Sequence, residues 1–354
     1  MPQEVVFYCS NGVACESVCL GNDLYRSLPP MKQPNRYQES IIQICGFLHK
    51  SPMKNTTVAE FVEQYEADYI QLLSFYIGRS LTYETDVINA FSGIINSQSI
   101  SLGRLEAGMP LRLFARALFL YVPLSSSPLS RRRGFPSWSW TGWKLDVSAP
   151  RTVLHDGGRV QMCRAGYWTL VQIYLCAGSE VPDLLLGPLD LDNGVEGYCT
   201  RSIELYNKLI PAPPLPTEPC VKEVPFFDIR GHDRALQLLV FWTHVARLDL
   251  TFPTEYEVRV FPEVHIDCPK MRARFKEEKS VKLEVVLVAI TRGISAFENG
   301  VRVYPWHIAD TEQEFSGIII ERWRGLARRV GVAHSIGIGQ WVAAYPRKEL
   351  LLLA

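Results

Sequence analysis

The run Arg131-Arg132-Arg133-Gly134-Phe135-Pro136-Ser137-Trp138-Ser139-Trp140-Thr141-Gly142-Trp143 decides how the rest of this chain is read. Three of the eight tryptophans fall inside it, and a solvated loop has little use for that much indole. On an extended backbone Trp138 and Trp140 point to one face, with Ser137, Ser139 and Thr141 on the other. Gly142 then frees the backbone, so that Trp143 turns onto a different surface. Each indole buries a large area and needs one acceptor for its N–H, so the run reads as a pillar joining two layers. A ligand platform is the alternative that the same residues allow. The leading arginines, with Lys144 and Arg151, read as a solvated loop rather than a groove for single-stranded nucleic acid.

Upstream of this run the apolar spacing is helical. Val58, Phe61, Val62, Tyr65, Tyr69, Leu72, Leu73 and Tyr76 recur every three or four residues, and Thr57 with Glu60 makes a capping box. A second helix follows Thr82, with Val87, Ala90, Phe91, Ile94 and Ile95 inward. A third starts at Pro110 and buries Leu111, Phe114, Ala115, Leu118 and Phe119.

Downstream the period changes to two. Residues 159–164, 168–175, 242–252, 256–261, 283–291, 315–322 and 349–353 read as strands. In the third of these, Trp242, His244, Ala246, Leu248, Leu250 and Phe252 face one way, and Thr243, Arg247, Asp249 and Thr251 the other. Residues 182–225 are proline-rich and read as a loop, either a disordered excursion or a packed irregular cover. Residues 1–55 read as an irregular lead-in with one strand at 4–9. The expected fold is α+β: a small helical layer over residues 56–125, then a mostly antiparallel β-rich domain over 135–354.

Acidic and basic residues balance at 37 each, which gives no global field to draw nucleic acid or an anionic membrane. The longest apolar stretch, 236–252, is broken by His244, Arg247 and Asp249, so no membrane span is expected. The opening Met-Pro-Gln-Glu has neither the basic start nor the apolar core of a secretion signal. Nine scattered cysteines then read as free thiols in a reducing cytoplasm.

A search for chemistry assigns no catalytic, cofactor or metal residue. Gly331, Gly337 and Gly339 lack the spacing of a phosphate loop. Cys9, Cys15 and Cys19 lie close, and His265 with Cys268 has ligand-like spacing, but neither group has the second pair that structural zinc requires. Ser92 lies inside an expected helix without a nucleophile elbow. Glu84 and Asp86 open that helix, where they favour its dipole. Lys208, Pro211 and Pro214 match the spacing of a polyproline docking ligand, a string that proline-rich loops often produce.

The tryptophan run resembles a signature of fungal heterokaryon-incompatibility proteins, the HET-domain family, which lies downstream of the HET domain itself. The phrase from Arg79 through Leu81, Thr82, Asp86, Asn89 and Phe91 to Ile94 is similar to the same family, as is the passage through Gly108-Met109-Pro110 to Phe135, Pro136, Trp138, Trp140, Gly142 and Trp143. The C-terminal Leu326-Ala327-Arg328-Arg329-Val330-Gly331, Trp341 and Pro346 fit more loosely. The Ser-Tyr-Val-Trp-Gly-like, Trp-Ile-Asp-Ser-Leu-Cys-Ile-like and Arg-Gly-Trp-Thr-Tyr-Gln-Glu-like segments of the HET domain are absent from this sequence. The resemblance therefore implies the downstream part of such a protein. Its expected role is a non-catalytic regulatory or interaction module with a protein partner, linked to self/non-self recognition and cell death. An enzyme with a pocket in the β domain (a hydrolase or a nicotinamide-dinucleotide-cleaving activity) is the alternative. A truncated gene product without its own activity is another.

Overall fold

β-branched and aromatic residues fill the stretch from Gln237 to Thr251, and in the computed structural model it is one continuous strand. The structure describes residues 6–9, 12–15, 19–21, 66, 69–70, 73, 76–77, 81, 83–95, 104–121, 129–145, 167–177, 183–186, 200–217, 237–251, 263–278, 280–291, 297–298, 301–302, 314–323 and 325–354. The chain divides into two compact units, Met1–Ser51 and Pro52–Ala354. In the first, β1 (Val6–Cys9), β2 (Gly12–Cys15) and β3 (Cys19–Gly21) form an antiparallel sheet, where a single strand was expected.

The second unit opens with helical residues Glu66, Tyr69, Ile70, Leu73, Tyr76 and Ile77, and Tyr69, Leu73, Tyr76 and Ile77 are buried. A 3-10 turn, Glu84–Asp86, leads into α1 (Val87–Ile95). Val87 and Phe91 face the core, whereas Ala90 is exposed, contrary to expectation. The short hairpin of β4 (Leu105–Glu106) and β5 (Met109–Pro110) follows. Pro110 then begins a 3-10 turn, Leu111–Leu113, and α2 (Phe114–Ala117). The expected third helix is thus only about two turns long, and beyond it the carbonyls of Leu118 and Leu120 accept from Arg329 of the β domain.

Next come β6 (Leu129–Arg131), β7 (Trp143–Leu145), β8 (Tyr167–Thr169), β9 (Ile173–Ala177) and β10 (Asp183–Leu186). The proline-rich region contains α3 (Thr200–Leu209), and then β11 (Gln237–Thr251) begins the main meander. It continues with β12 (Glu263–Ile266), α4 (Pro269–Glu277), β13 (Ser280–Thr291), β14 (Phe297–Glu298), β15 (Val301–Arg302), β16 (Glu314–Trp323), β17 (Leu326–Gly337), α5 (Ile338–Ala343) and β18 (Arg347–Leu353). The fold is α+β, and the main sheet is mostly antiparallel; β17 and β18 pair in parallel. Expected strands at 159–164 and 256–261, and the Thr57–Glu60 capping box, lie outside the described residues.

Strands β11, β13, β16, β17 and β18 pair in turn, and β18 returns to β11, so the five close into a ring. Closure leaves none of the five as a free edge, and β8, β10 and β12 form the sheet's outer strands. Alternation buries both faces of these strands. On one face Leu239, Phe241, Val245, Val286, Val288, Ile318, Ile320, Leu351 and Leu353 join the core that holds the helical layer and the tryptophans. On the other, Ala246, Leu248, Leu283, Val285, Phe315 and Ile319 pack against Ile203 and Tyr206 of α3, Met271 and Phe275 of α4, and Trp341 of α5. Among the described residues no helix is long and apolar enough to cross a membrane.

Candidate functional site

Where alternation carries the first of these faces beyond its apolar residues, it turns to charge on four strands at once. Val245 is followed two residues on by Arg247, Val286 is preceded by Glu284, Ile320 is followed by Arg322, and Leu351 is preceded by Glu349 and Arg347. Register brings these side chains together. Glu284 receives Arg322 Nε and Arg347 Nη2, each at 2.9 Å, and Arg247 Nε at 3.4 Å. Glu349 takes Arg322 Nη1 at 2.6 Å and Arg347 Nε at 3.4 Å. Burial alone would raise the Glu284 carboxyl, but the bond and charge of Arg322, aided by Arg347, hold it below its ordinary value.

Beside this cluster the chain leaves α5 through Ala344 and Tyr345. The Tyr345 N–H donates to the Val342 carbonyl at 3.0 Å, and the residue sits at φ +50, the left-handed position where a helix commonly ends on glycine. A tyrosine there bears roughly 1–2 kcal/mol of steric cost. Pro346 follows and prevents the helix from continuing. At 89 % exposure Tyr345 is the most exposed large hydrophobic side chain among the described residues. With Val245, Ala246, Arg247, Glu284, Ala344 and Arg347 it lines a cleft of about 120 Å³.

The tryptophan run lies elsewhere and is spent internally. It is not a strand: residues 137–139 turn, Trp140–Gly142 is a 3-10 turn capped by Ser139, and only Trp143 enters β7. All three indoles are buried, and each N–H has an acceptor: Trp138 the Gln237 carbonyl at 3.2 Å, Trp140 that of Gly108 at 3.1 Å, Trp143 that of Ser137 at 2.8 Å. Trp140 packs edge-on against Phe91 (4.8 Å) and Tyr76 (5.8 Å), while Trp138 meets Phe114. Gly142 is required by proximity, since a Cβ there would lie 2.1 Å from the Pro136 carbonyl oxygen.

The arginines ahead of the run are likewise engaged. Arg131 donates to the carbonyls of Gly142 (2.6 Å) and Phe135 (2.8 Å) and lies over the Trp143 ring. Arg132 is buried; it donates to Trp143 O at 2.8 Å and pairs with Glu84 at 2.5 Å, where Lys144 also reaches.

Of the other family-like positions, Phe91 is buried, Leu81, Phe135 and Pro136 pack partly or wholly inside, and Asp86 and Asn89 are exposed on the first turns of the helix. Arg79 and Thr82 lie outside the described residues. Lys208, Pro211 and Pro214 are exposed, but Lys208 is helical while the prolines belong to the turn after α3. That turn is clamped by Asn207, which bonds both the N–H and the carbonyl of Leu215, so residues 200–217 form a packed cover.

Comparisons with protein-family models, with curated proteins and with solved structures find no match to this chain.

Two further polar clusters have the atoms of chemistry without the access. Ser316 Oγ lies 3.1 Å from His334 Nδ1, the spacing of a nucleophile and base, yet both residues are at most 2 % exposed. Asp267 and Arg329 form a buried pair, and Arg329 also donates to the carbonyls of Leu118 and Leu120. Burial pushes the Asp267 carboxyl up against the pull of Arg329 and Arg272. Among the described residues no three His, Cys, Asp or Glu side chains gather as a metal site.

Sequence reasoning missed the cleft. Arg247 stood on the polar side of an expected strand, but no local signal places β13, β16 and β18 around it.

Proposed function

We propose that this chain is a non-catalytic interaction module, of the kind that its resemblance to the region downstream of HET domains implies. It is a cytoplasmic protein that takes part in fungal self/non-self recognition by contacting another protein, and it restrains or reports on a death-inducing domain supplied by that partner. Neither nucleic acid, membrane nor metal enters this reading. One observation carries it: Tyr345 holds a nearly fully exposed ring on a strained backbone at the lip of an arginine-lined cleft. Tyrosine and arginine are the residues that dominate binding energy at protein interfaces, and strain of this kind concentrates at functional positions.

The test is quantitative affinity capture from fungal extract with the wild-type chain and with Tyr345→Ala. The expected result is a defined set of proteins enriched by the wild type and lost with the variant. Equal capture by both chains overturns the proposal. So does turnover of nicotinamide dinucleotide by the purified chain that a single substitution in one pocket abolishes.

A further inference from the structure

Charge at the cleft does not cancel. Arg247, Arg322 and Arg347 face two carboxylates, Glu284 and Glu349. Three guanidiniums also bring more N–H donors than two carboxylates can accept. The surplus is at the rim. Arg247 is 64 % exposed and touches Glu284 only through Nε at 3.4 Å, so its terminal nitrogens have no partner among the described residues. Arg347 is 57 % exposed and uses Nε and Nη2, leaving Nη1. Glu284, by contrast, is 11 % exposed and holds the arginines from below. Both rim arginines line the same cleft as Tyr345.

Resting on the interaction reading above, we infer that this cleft receives an acidic segment of the partner protein, one carboxylate of which is bound by Arg247 and Arg347 while the Tyr345 ring covers the adjoining peptide. Three features select that occupant. The cluster carries a surplus of one positive charge, which a single carboxylate neutralises and a doubly charged phosphate would reverse. The free N–H groups belong to guanidiniums, whose planar fork matches a carboxylate. A cleft of about 120 Å³ is large enough to take a side-chain carboxyl group. The fixed Glu284 and Glu349 also set the orientation, because an incoming carboxylate is repelled from the inner end and held at the rim.

The experiment is calorimetric titration of the full chain with a hexaglutamate peptide whose termini are blocked, with the matching hexaglutamine peptide, and with inorganic phosphate. Hexaglutamate is expected to bind at least about tenfold more tightly than either of the others, with an affinity that falls as salt is raised. Arg247→Glu should weaken it by about tenfold or more. This substitution spares the fold, since the side chain is mostly exposed and makes one long contact. Arg274→Glu, on the exposed face of α4, is the control and should leave binding unchanged. Equal binding of the two peptides, tighter binding of phosphate, or indifference to Arg247→Glu overturns the inference. If capture from extract still depends on Tyr345 in any of those cases, the interaction reading survives and only the acidic occupant is wrong.

Discussion

Ser137 and Ala354, 217 residues apart, are joined backbone to backbone: the Ser137 N–H donates to the Ala354 carbonyl at 3.0 Å. The Ser137 hydroxyl donates to that same carbonyl and accepts the N–H of Arg329 at 2.9 Å. One small side chain thus ties the tryptophan run to the last residue of the sequence and to β17. Replacing it with alanine leaves a buried N–H of Arg329 without its acceptor. Ser137→Ala is expected to cost about 1–3 kcal/mol, read as a lower urea midpoint at unchanged slope. A midpoint within error of the wild type would show that the bond is dispensable.

Gly142 faces a different constraint. Its φ is unexceptional, but the Pro136 carbonyl and the Arg131 guanidinium occupy the space of a Cβ, each 2.1 Å from where it would lie. Arg131 can move; the backbone at Pro136 moves only if the 3-10 turn opens. Gly142→Ala should therefore destabilise by at least about 1–3 kcal/mol, checked by thermal unfolding.

Acidification should act through His244 first. Trp341 Nε1 donates to Tyr206 Oη at 3.1 Å, Tyr206 Oη lies 2.7 Å from His244 Nδ1, and His244 Nε2 donates to the Pro213 carbonyl at 2.9 Å, a chain in which neutral imidazole accepts from the Tyr206 hydroxyl. Burial lowers the His244 pKa from its ordinary 6.5, Lys348 adds to this, and the Pro213 bond opposes it. Below pH 6.5 the unfolded chain therefore binds more protons than the folded one, so stability is full above that pH and declines beneath it. Glu84 and Glu284, both held below the ordinary 4.5, should add a second loss as pH falls past that value. Denaturant midpoints across this range test the order. His244→Gln should flatten the upper phase and leave the lower one.

Strain at Tyr345 predicts opposed effects on stability and binding. Glycine adopts φ +50 at no steric cost, and the lost ring is exposed. Tyr345→Gly should leave stability unchanged or raise it by about 1 kcal/mol, the relief partly offset by a freer unfolded chain. Partner capture should nonetheless be lost.

Much of the fold was legible because its signals are local. Phe91, Phe114 and Leu73 lie on helix-spaced faces, and 242–252, 283–291 and 315–322 alternate in the sequence as strands do. The extended reading of the tryptophan run does not hold: Ser137 and Ser139 mimic alternation, whereas their hydroxyls bond the carbonyls of Ala354 and Ala107. β17 was hidden by Arg329, a charge at a buried position that is satisfied only by Asp267 and two distant carbonyls. α3 was hidden by the prolines after it, since its anchor is the long-range pair Tyr206–His244. The cleft left the weakest trace of all. Arg247, Glu284 and Arg322 each read as an ordinary polar strand residue, Arg347 lies ahead of the expected strand at 349–353, and only the closure of the ring brings the four to one place.

The docking claim is tested most directly by placing the photo-crosslinker p-benzoylphenylalanine at position 345 in the chain expressed in fungal cells. One discrete crosslinked protein is expected, mapped to a segment rich in Asp or Glu and diminished by Arg247→Glu. The same crosslinker in place of exposed Glu277 should not capture it. No crosslinked protein at 345, or the same protein captured equally from 277, would contradict the account.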